Sequence, residues 1–193
     1  MKKADLQAKI EESLSESAYV KLLLMQKCVL QVESIAKAVV SALKKGKRVV
    51  VFGNGGSAAD AQHIAAEMEG RFKKARPALP VLALTTNSST LTAVGNDFGY
   101  DKTFSRQVEA HTRKGDVVIA ISTSGNSANV LEALKSAKKI GAVTIGFTNE
   151  DGGKMKKRVD HCLTVPSRDT QRVQECHIAV GHVLCECIED SLF

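Results

Sequence analysis

His63 and Glu67 stand four residues apart in a stretch, Ala58 to Arg71, that reads as a helix, so both project from one face, a turn apart. An imidazole and a carboxylate so placed can serve as a base and its partner, or can share a divalent ion. Asp60 lies three residues before His63 on roughly the same face, where its carboxylate would orient the imidazole. A solvated polar face is the plain alternative. Further along, Gln174 and His182 sit among Val173, Ile178, Val180, Val183 and Leu184 in another helical stretch. A lone histidine there is more often a satisfied core residue. Ideal geometry puts these two about 12 Å apart along the axis and about 80° apart around it, so sharing one ion requires both side chains to lean inward. Imidazole, carboxylate and amide oxygen together are compatible with zinc.

Two loops are built for an oxygen-rich ligand. Gly53-Asn54-Gly55-Gly56-Ser57 follows an apolar run and opens the first helical stretch. Its glycines allow close backbone approach, and the helix start offers unpaired N–H donors. Ser122-Thr123-Ser124-Gly125-Asn126-Ser127 follows another apolar run and opens another helix. Hydroxyls and backbone N–H groups there meet the positive end of a helix dipole, which makes a phosphate cradle. Either loop alone reads equally as a capped turn; two of them after strands of one sheet are harder to dismiss. Gly53-x-Gly55-x-x-Ala58 also satisfies the dinucleotide fingerprint. That reading expects an acidic residue at the end of the second strand, where this chain has Leu84-Thr85-Thr86-Asn87.

These groups need a frame. Apolar residues recur at three- and four-residue steps from Leu6 to Leu43, which predicts two helices over residues 1–45, ending at Gly46. They are longer than a small sheet needs, which suggests burial against another subunit. Five short apolar runs then alternate with helical segments: Arg48 to Phe52, Pro80 to Leu84, Val117 to Ile121, Val143 to Phe147 and Cys162 to Val165. Because the runs are continuously apolar, helices should cover both faces. That predicts an α/β fold, a doubly wound five-stranded parallel sheet over residues 46–193 with a helical N-terminal extension. Ligands belong at the strands' carboxyl ends. Short loops are expected around Gly95-Asn96 and Gly152-Gly153.

At 193 residues with 44% hydrophobic content the chain suits a single domain. Its net charge of +6 comes largely from dispersed lysines, with few aromatics to stack on bases. Affinity for anionic, phosphorylated metabolites explains the sign without a nucleic-acid partner. The charged amphipathic opening indicates neither a signal peptide nor a membrane span, so a cytoplasmic location is expected. Five cysteines, odd in number and placed mainly in apolar segments, read as free thiols. Cys185-Glu-Cys187 lacks the spacing of a zinc pair.

Taken in order, Gly53-Asn-Gly-Gly-Ser57, Asp60-Ala-Gln-His63-x-x-x-Glu67, Val94-Gly-Asn-Asp-Phe-Gly99, Ile121-Ser-Thr-Ser-Gly-Asn-Ser-Ala-Asn129 and Arg172-Val-Gln-Glu175 resemble the phosphoheptose isomerases, a family of the SIS (sugar isomerase) fold. The resemblance runs essentially end to end, and its motifs are jointly specific. It implies conversion of D-sedoheptulose 7-phosphate to D-glycero-D-manno-heptose 7-phosphate through an enediol, toward the ADP-heptose of lipopolysaccharide core. It also implies a homotetramer with sites at subunit boundaries. By resemblance Glu67 is the catalytic base and His182 the acid, while His63, Glu67, Gln174 and His182 hold one zinc ion per subunit. Sugar-phosphate contacts fall to Asn54, Gly55, Gly56, Glu67, Asn96, Asp97, Ser122, Thr123, Ser124, Ser127 and Gln174, with Arg71 a further anion contact. The segment between Pro166 and Gln174 is shorter than the family's pattern, and Asp169 and Gln171 receive no role.

The chain is also similar to the DnaA initiator-associating proteins, non-catalytic SIS proteins that act by binding the replication initiator. Their pattern lacks the helix glutamate and the final histidine, whereas Glu67 and His182 are both present here. A sugar-phosphate sensor would keep the Ser122 to Ser127 cradle without needing Glu67.

Overall fold

The computed structural model describes residues 3–193. The expected pair of N-terminal helices is one continuous helix, α1 (Lys3–Lys44). No glycine or proline interrupts that span, so nothing in it terminates a helix. The chain turns at Gly46, whose φ of 68° favours glycine.

The remaining elements are β1 (Val49–Gly53), α2 (Gly56–Glu69), β2 (Val81–Ala83), α3 (Ser88–Phe98), α4 (Ser105–His111), β3 (Val117–Ile121), α5 (Ala128–Ile140), β4 (Val143–Asn149), β5 (His161–Val165) and α6 (Thr170–Leu192). A short 3-10 turn covers Tyr100–Lys102. The five strands pair in parallel in the order β2-β1-β3-β4-β5, Val51 lying opposite both Ala83 and Ile119. Alternate strand residues feed two cores. Val49, Val51, Ile119, Ile145 and Phe147 pack under α1, α2 and α6; Val50, Phe52, Val118 and Ala120 pack under α4 and α5. The expected doubly wound sandwich is what forms. Gly95 and Asn96, expected in a loop, lie inside α3. That helix starts on Asn87, whose side chain accepts from the Thr90 amide.

Strand order reverses between β1 and β3, so their carboxyl ends form the crevice where such sheets bind ligands. Gly53 closes β1 there. A Cβ on it would lie 2.7 Å from the Ile121 carbonyl oxygen and 2.6 Å from Ser57 Cβ, so no larger residue fits.

The return from α2 to the sheet is pinned by a buried ion pair. Arg76 and Glu189, each 1% exposed, meet at 2.9 Å. The Glu189 carboxylate also accepts from the amides of Phe72, Lys73 and Lys74. Arg76 donates in turn to the Glu67 and Met68 carbonyls at the end of α2. One carboxylate near the end of α6 thus organises the loop after α2. Burial pushes the Glu189 carboxyl up, but three backbone N–H groups and the guanidinium outweigh it and hold its pKa at about 2. A depressed carboxylate stabilises the fold above its ordinary value of 4.5, and that contribution disappears as pH falls toward about 2. Glu189→Gln leaves Arg76 buried without its counter-ion and should cost about 3 kcal/mol in urea denaturation at neutral pH. The variant should also lose part of the wild type's decline in stability between about pH 4.5 and pH 2.

Candidate active site

Helices α2 and α6 meet in step. Gln174 lies against Gly56, Gly181 against Ile64, and Glu189 against the loop after α2. Both indices rise together, so the helices run the same way, and their contact faces line up from the crevice downward. At the middle of this seam a Cβ on Gly181 would come within 2.8 Å of the Ile64 side chain. This close approach brings His182 to His63. Their Nε2 atoms lie 2.9 Å apart, one ring donating to the other, with ring centroids separated by 5.0 Å.

Glu67, one turn beyond His63 on α2, places Oε1 3.4 Å from the same His63 nitrogen. His63 therefore bridges the acid and base candidates, His182 and Glu67. The helix geometry that seemed to separate Gln174 from His182 holds, since the two do not touch; each instead meets α2 at its own level. Phe72 stacks on His182 with centroids 5.7 Å apart and planes 25° apart, which sets the ring's orientation. That phenylalanine belongs to the loop that Glu189 organises, and neither it nor Arg76 carries any local sequence signal. Arg71, the neighbour of Phe72 in the chain, is exposed. The core histidine of α6 is His177. Fully buried, its pKa is pushed down to about 4 by desolvation against a hydrogen bond with the Thr148 carbonyl, so it stays neutral.

Asp60 does not orient His63 as expected. Its Oδ1 accepts from Gln174 Nε2 at 2.6 Å instead, because its position on α2 turns it toward α6 among the buried residues Ala61 and Ile64. Burial raises its pKa to about 6, against the lowering effects of the Gln174 bond and His63.

The two loops flank this cluster. Gly55, with φ 57°, precedes α2, and no side chain caps that helix. No side chain caps α5 either, and the first turns of both helices lack acidic residues, which leaves two positive helix ends toward the crevice. Ser122 and Ser127 hydroxyls meet at 2.9 Å across the second loop, with Thr123 and Ser124 between them. A reciprocal amide pair ties the loops together: Asn54 Nδ2 donates to Asn129 Oδ1 and Asn129 Nδ2 to Asn54 Oδ1, both at 2.9 Å. Tyr100 adds its hydroxyl to Asn54 Oδ1 at 3.1 Å. The Asn54 carbonyl is thus used within the protein, leaving one amide hydrogen for a ligand. The role of Asn129, the last residue of the Ile121–Asn129 motif, comes from this contact between loops. Asn96 and Asp97, at the last turn of α3, hydrogen-bond to each other and touch no other candidate among the described residues. Asp169, without an expected role, caps α6 by accepting from the Gln171 and Arg172 amides.

The SIS domain model matches residues 20–149. The phosphoheptose isomerase of Aquifex aeolicus is 54% identical over 184 residues, covering 95% of this chain and 96% of that protein. The phosphoheptose isomerase of Clostridium acetobutylicum is 51% identical over 191 residues, covering 99% and 92%. The chain belongs to the SIS domain family, among its phosphoheptose isomerases. Solved structures agree: the phosphoheptose isomerase of Neisseria gonorrhoeae superposes with a TM-score of 0.91 at 43% identity, over 96% of this chain and 99% of that one. That of Francisella tularensis gives 0.93 at 35%, over 98% and 100%. The His63, Glu67 and His182 cluster is therefore the candidate centre of an isomerase.

The donor types of His63, Glu67, His182 and Gln174 suit zinc. The two imidazole nitrogens, 2.9 Å apart, are close to the ~3.3 Å between tetrahedral ligands at ~2.05 Å from zinc. As the side chains stand, no three His, Cys, Asp or Glu groups among the described residues converge on one point, so loading an ion would call for small rotamer shifts. Gly181→Ala should lower turnover more than about tenfold while reducing stability by about 1–2 kcal/mol. Shortening the opposing side chain in Ile64→Val/Gly181→Ala should recover part of the turnover, as steady-state kinetics beside thermal melts would reveal.

Proposed function

We propose that this isomerase interconverts D-sedoheptulose 7-phosphate and D-glycero-D-manno-heptose 7-phosphate in the cytoplasm, as the first step toward the ADP-heptose of lipopolysaccharide core. The observation that carries the reading is the convergence of Glu67, His63 and His182 beside two uncapped helix ends joined through Asn54 and Asn129. The identity to phosphoheptose isomerases supports the substrate.

Moving a carbonyl from C2 to C1 requires a base at carbon and an acid at oxygen. Glu67 takes the C1 proton and delivers it to C2 through an enediol. His182 protonates O2 as the C2 carbonyl becomes a hydroxyl and accepts the O1 proton as C1 becomes the carbonyl. The Arg76 bond to the Glu67 backbone carbonyl anchors the helix end that carries the carboxylate, and the Phe72 stack orients His182, as proton transfer demands. Ser122, Thr123, Ser124 and Ser127 receive the phosphate, and Asn54, Gly55, Gly56, Asn96, Asp97 and Gln174 the sugar. His63, Glu67, Gln174 and His182 would hold one zinc ion per subunit, which would supply positive charge toward the carbonyl when bound, with Glu67 and His182 leaving the ion to move protons.

The active form is a homotetramer. Leu22, Met25, Val29 and Leu30 of α1 are exposed, and α1 with the outer face of α6 lines a largely apolar groove of about 760 Å³. Its lining includes none of His63, Glu67, Gln174 and His182, so it carries none of the chemistry. Its lining suits another subunit. Glu67→Gln should lower turnover of sedoheptulose 7-phosphate by at least about a hundredfold, followed by NMR of the aldose; normal turnover in that variant would remove Glu67 as the base. Met25→Glu/Val29→Glu should convert the tetramer into smaller species in light scattering, and an unchanged mass would reject this face as the interface.

A further inference from the structure

Asp60 is 4% exposed, in the layer between α2 and α6. One oxygen accepts from Gln174 Nε2 at 2.6 Å; the other, Oδ2, is buried without a hydrogen-bond partner. A carboxyl group half unsatisfied in a core costs stability, which an apolar residue of the same size would avoid. Its one formed contact has a consequence at the site. A glutamine amide has two ends alike in shape and opposite in hydrogen bonding, and an ionised carboxylate accepts only. Asp60 therefore captures the NH2 end of Gln174 and leaves Oε1 as the end available to a ligand. From the other side Gly56 bounds the same side chain, since a Cβ there would lie 3.4 Å from Gln174 Cγ.

We propose that Asp60 is a positioning residue of the isomerase, acting through Gln174 to present the amide oxygen to the ligand and withhold the nitrogen. This rests on the reading of Gln174 as a ligand contact given above. Without Asp60 the amide is free to rotate, and a donor can face the crevice where an acceptor belongs. The loss then falls on whatever Gln174 holds and leaves the packing of the helices unchanged.

The test is a double-mutant cycle on the full-length protein. Asp60→Leu and Asp60→Ala should each lower kcat about ten- to a hundredfold, the usual effect of removing a group that orients a ligating side chain. Their melting temperatures should be unchanged or raised, because a half-unsatisfied carboxyl has gone. Asp60→Asn, which keeps an acceptor oxygen but adds a donor, should recover only part of the loss. In a Gln174→Ala background Asp60→Leu should cost nothing further. Equal losses from Asp60→Leu in both backgrounds, or an Asp60→Asn protein as impaired as Asp60→Leu, would overturn the proposal. A wild type that leaves sedoheptulose 7-phosphate unchanged would sink the substrate reading alone. The cycle is then read in zinc affinity, by competition with a chromophoric chelator, where additivity again overturns the role of Asp60 and non-additivity supports it.

Discussion

A Cβ on Gly181 would lie 2.8 Å from Ile64, closer than nonbonded carbons approach, and the arrangement of the site follows from that close contact. Residues from distant parts of the chain reach each other only because α2 and α6 lie within one side chain's length. At the top of the seam Gln174 meets Asp60, in the middle His182 meets His63, and at the bottom Glu189 holds Arg76. The bottom contact feeds back on the middle one, because the loop that Glu189 gathers carries Phe72 onto the His182 ring. A buried ion pair adds little stability in itself but leaves few alternative arrangements once formed. Here it also joins the end of α2 to α6.

The crevice half of the site is governed by electrostatics more than by packing. Two helices begin without acidic residues and without side-chain caps, so their positive ends face the carboxyl edge of β1 and β3. Left alone, two flexible glycine-containing loops would hold those ends at variable separation. The Asn54 and Asn129 amides remove that freedom by exchanging both hydrogen bonds. Asn129 is buried, where an unpaired amide would be costly, so separating the loops is unfavourable. An anionic ester entering here meets donors already in place, which lowers the ordering cost of binding.

The parallel sheet was legible because it needs only local information: short β-branched runs, continuous burial and helical intervals between them. Its flanking elements were harder to place. Helical periodicity from Leu6 to Leu43 suggests two helices by its length, but no breaker divides it and it forms one. The Thr- and Ser-containing stretch around Gly95 has weak helix propensity that the Asn87 cap and its neighbours override. At the site, spacing put His63 and Glu67 on one face, and resemblance added Gln174 and His182. What spacing could not report is contact between elements. Asp60 shares a helix with His63 but points at α6, and Arg76, Glu189 and Phe72 matter only because of where α6 docks. Such partners are set by tertiary packing and leave no periodic trace.

One turn of α6 connects the chemistry to the rest of the molecule. Val180 and Val183 line the apolar groove beside α1, while Gly181 and His182 between them face α2. A helical turn is rigid on this scale, so whatever presses on the valines presses equally on the histidine. Polar contacts fix the two ends of α1 differently: Arg172 and Glu175 of α6 take Ser13 and Ser17 near its start, and Gln31 takes Thr164 of β5 farther on. Between them Lys21, 3.7 Å from Glu175, and the Cys28 thiol, which donates to the Thr164 carbonyl, add polar contacts, while Met25 and Val29 line the apolar groove. Filling the groove would therefore clamp α6 from its outer side against Ile64, and the separation of His182 from His63 would be set from both faces of one helix. The apolar groove and the His63–His182 contact then share one turn of α6.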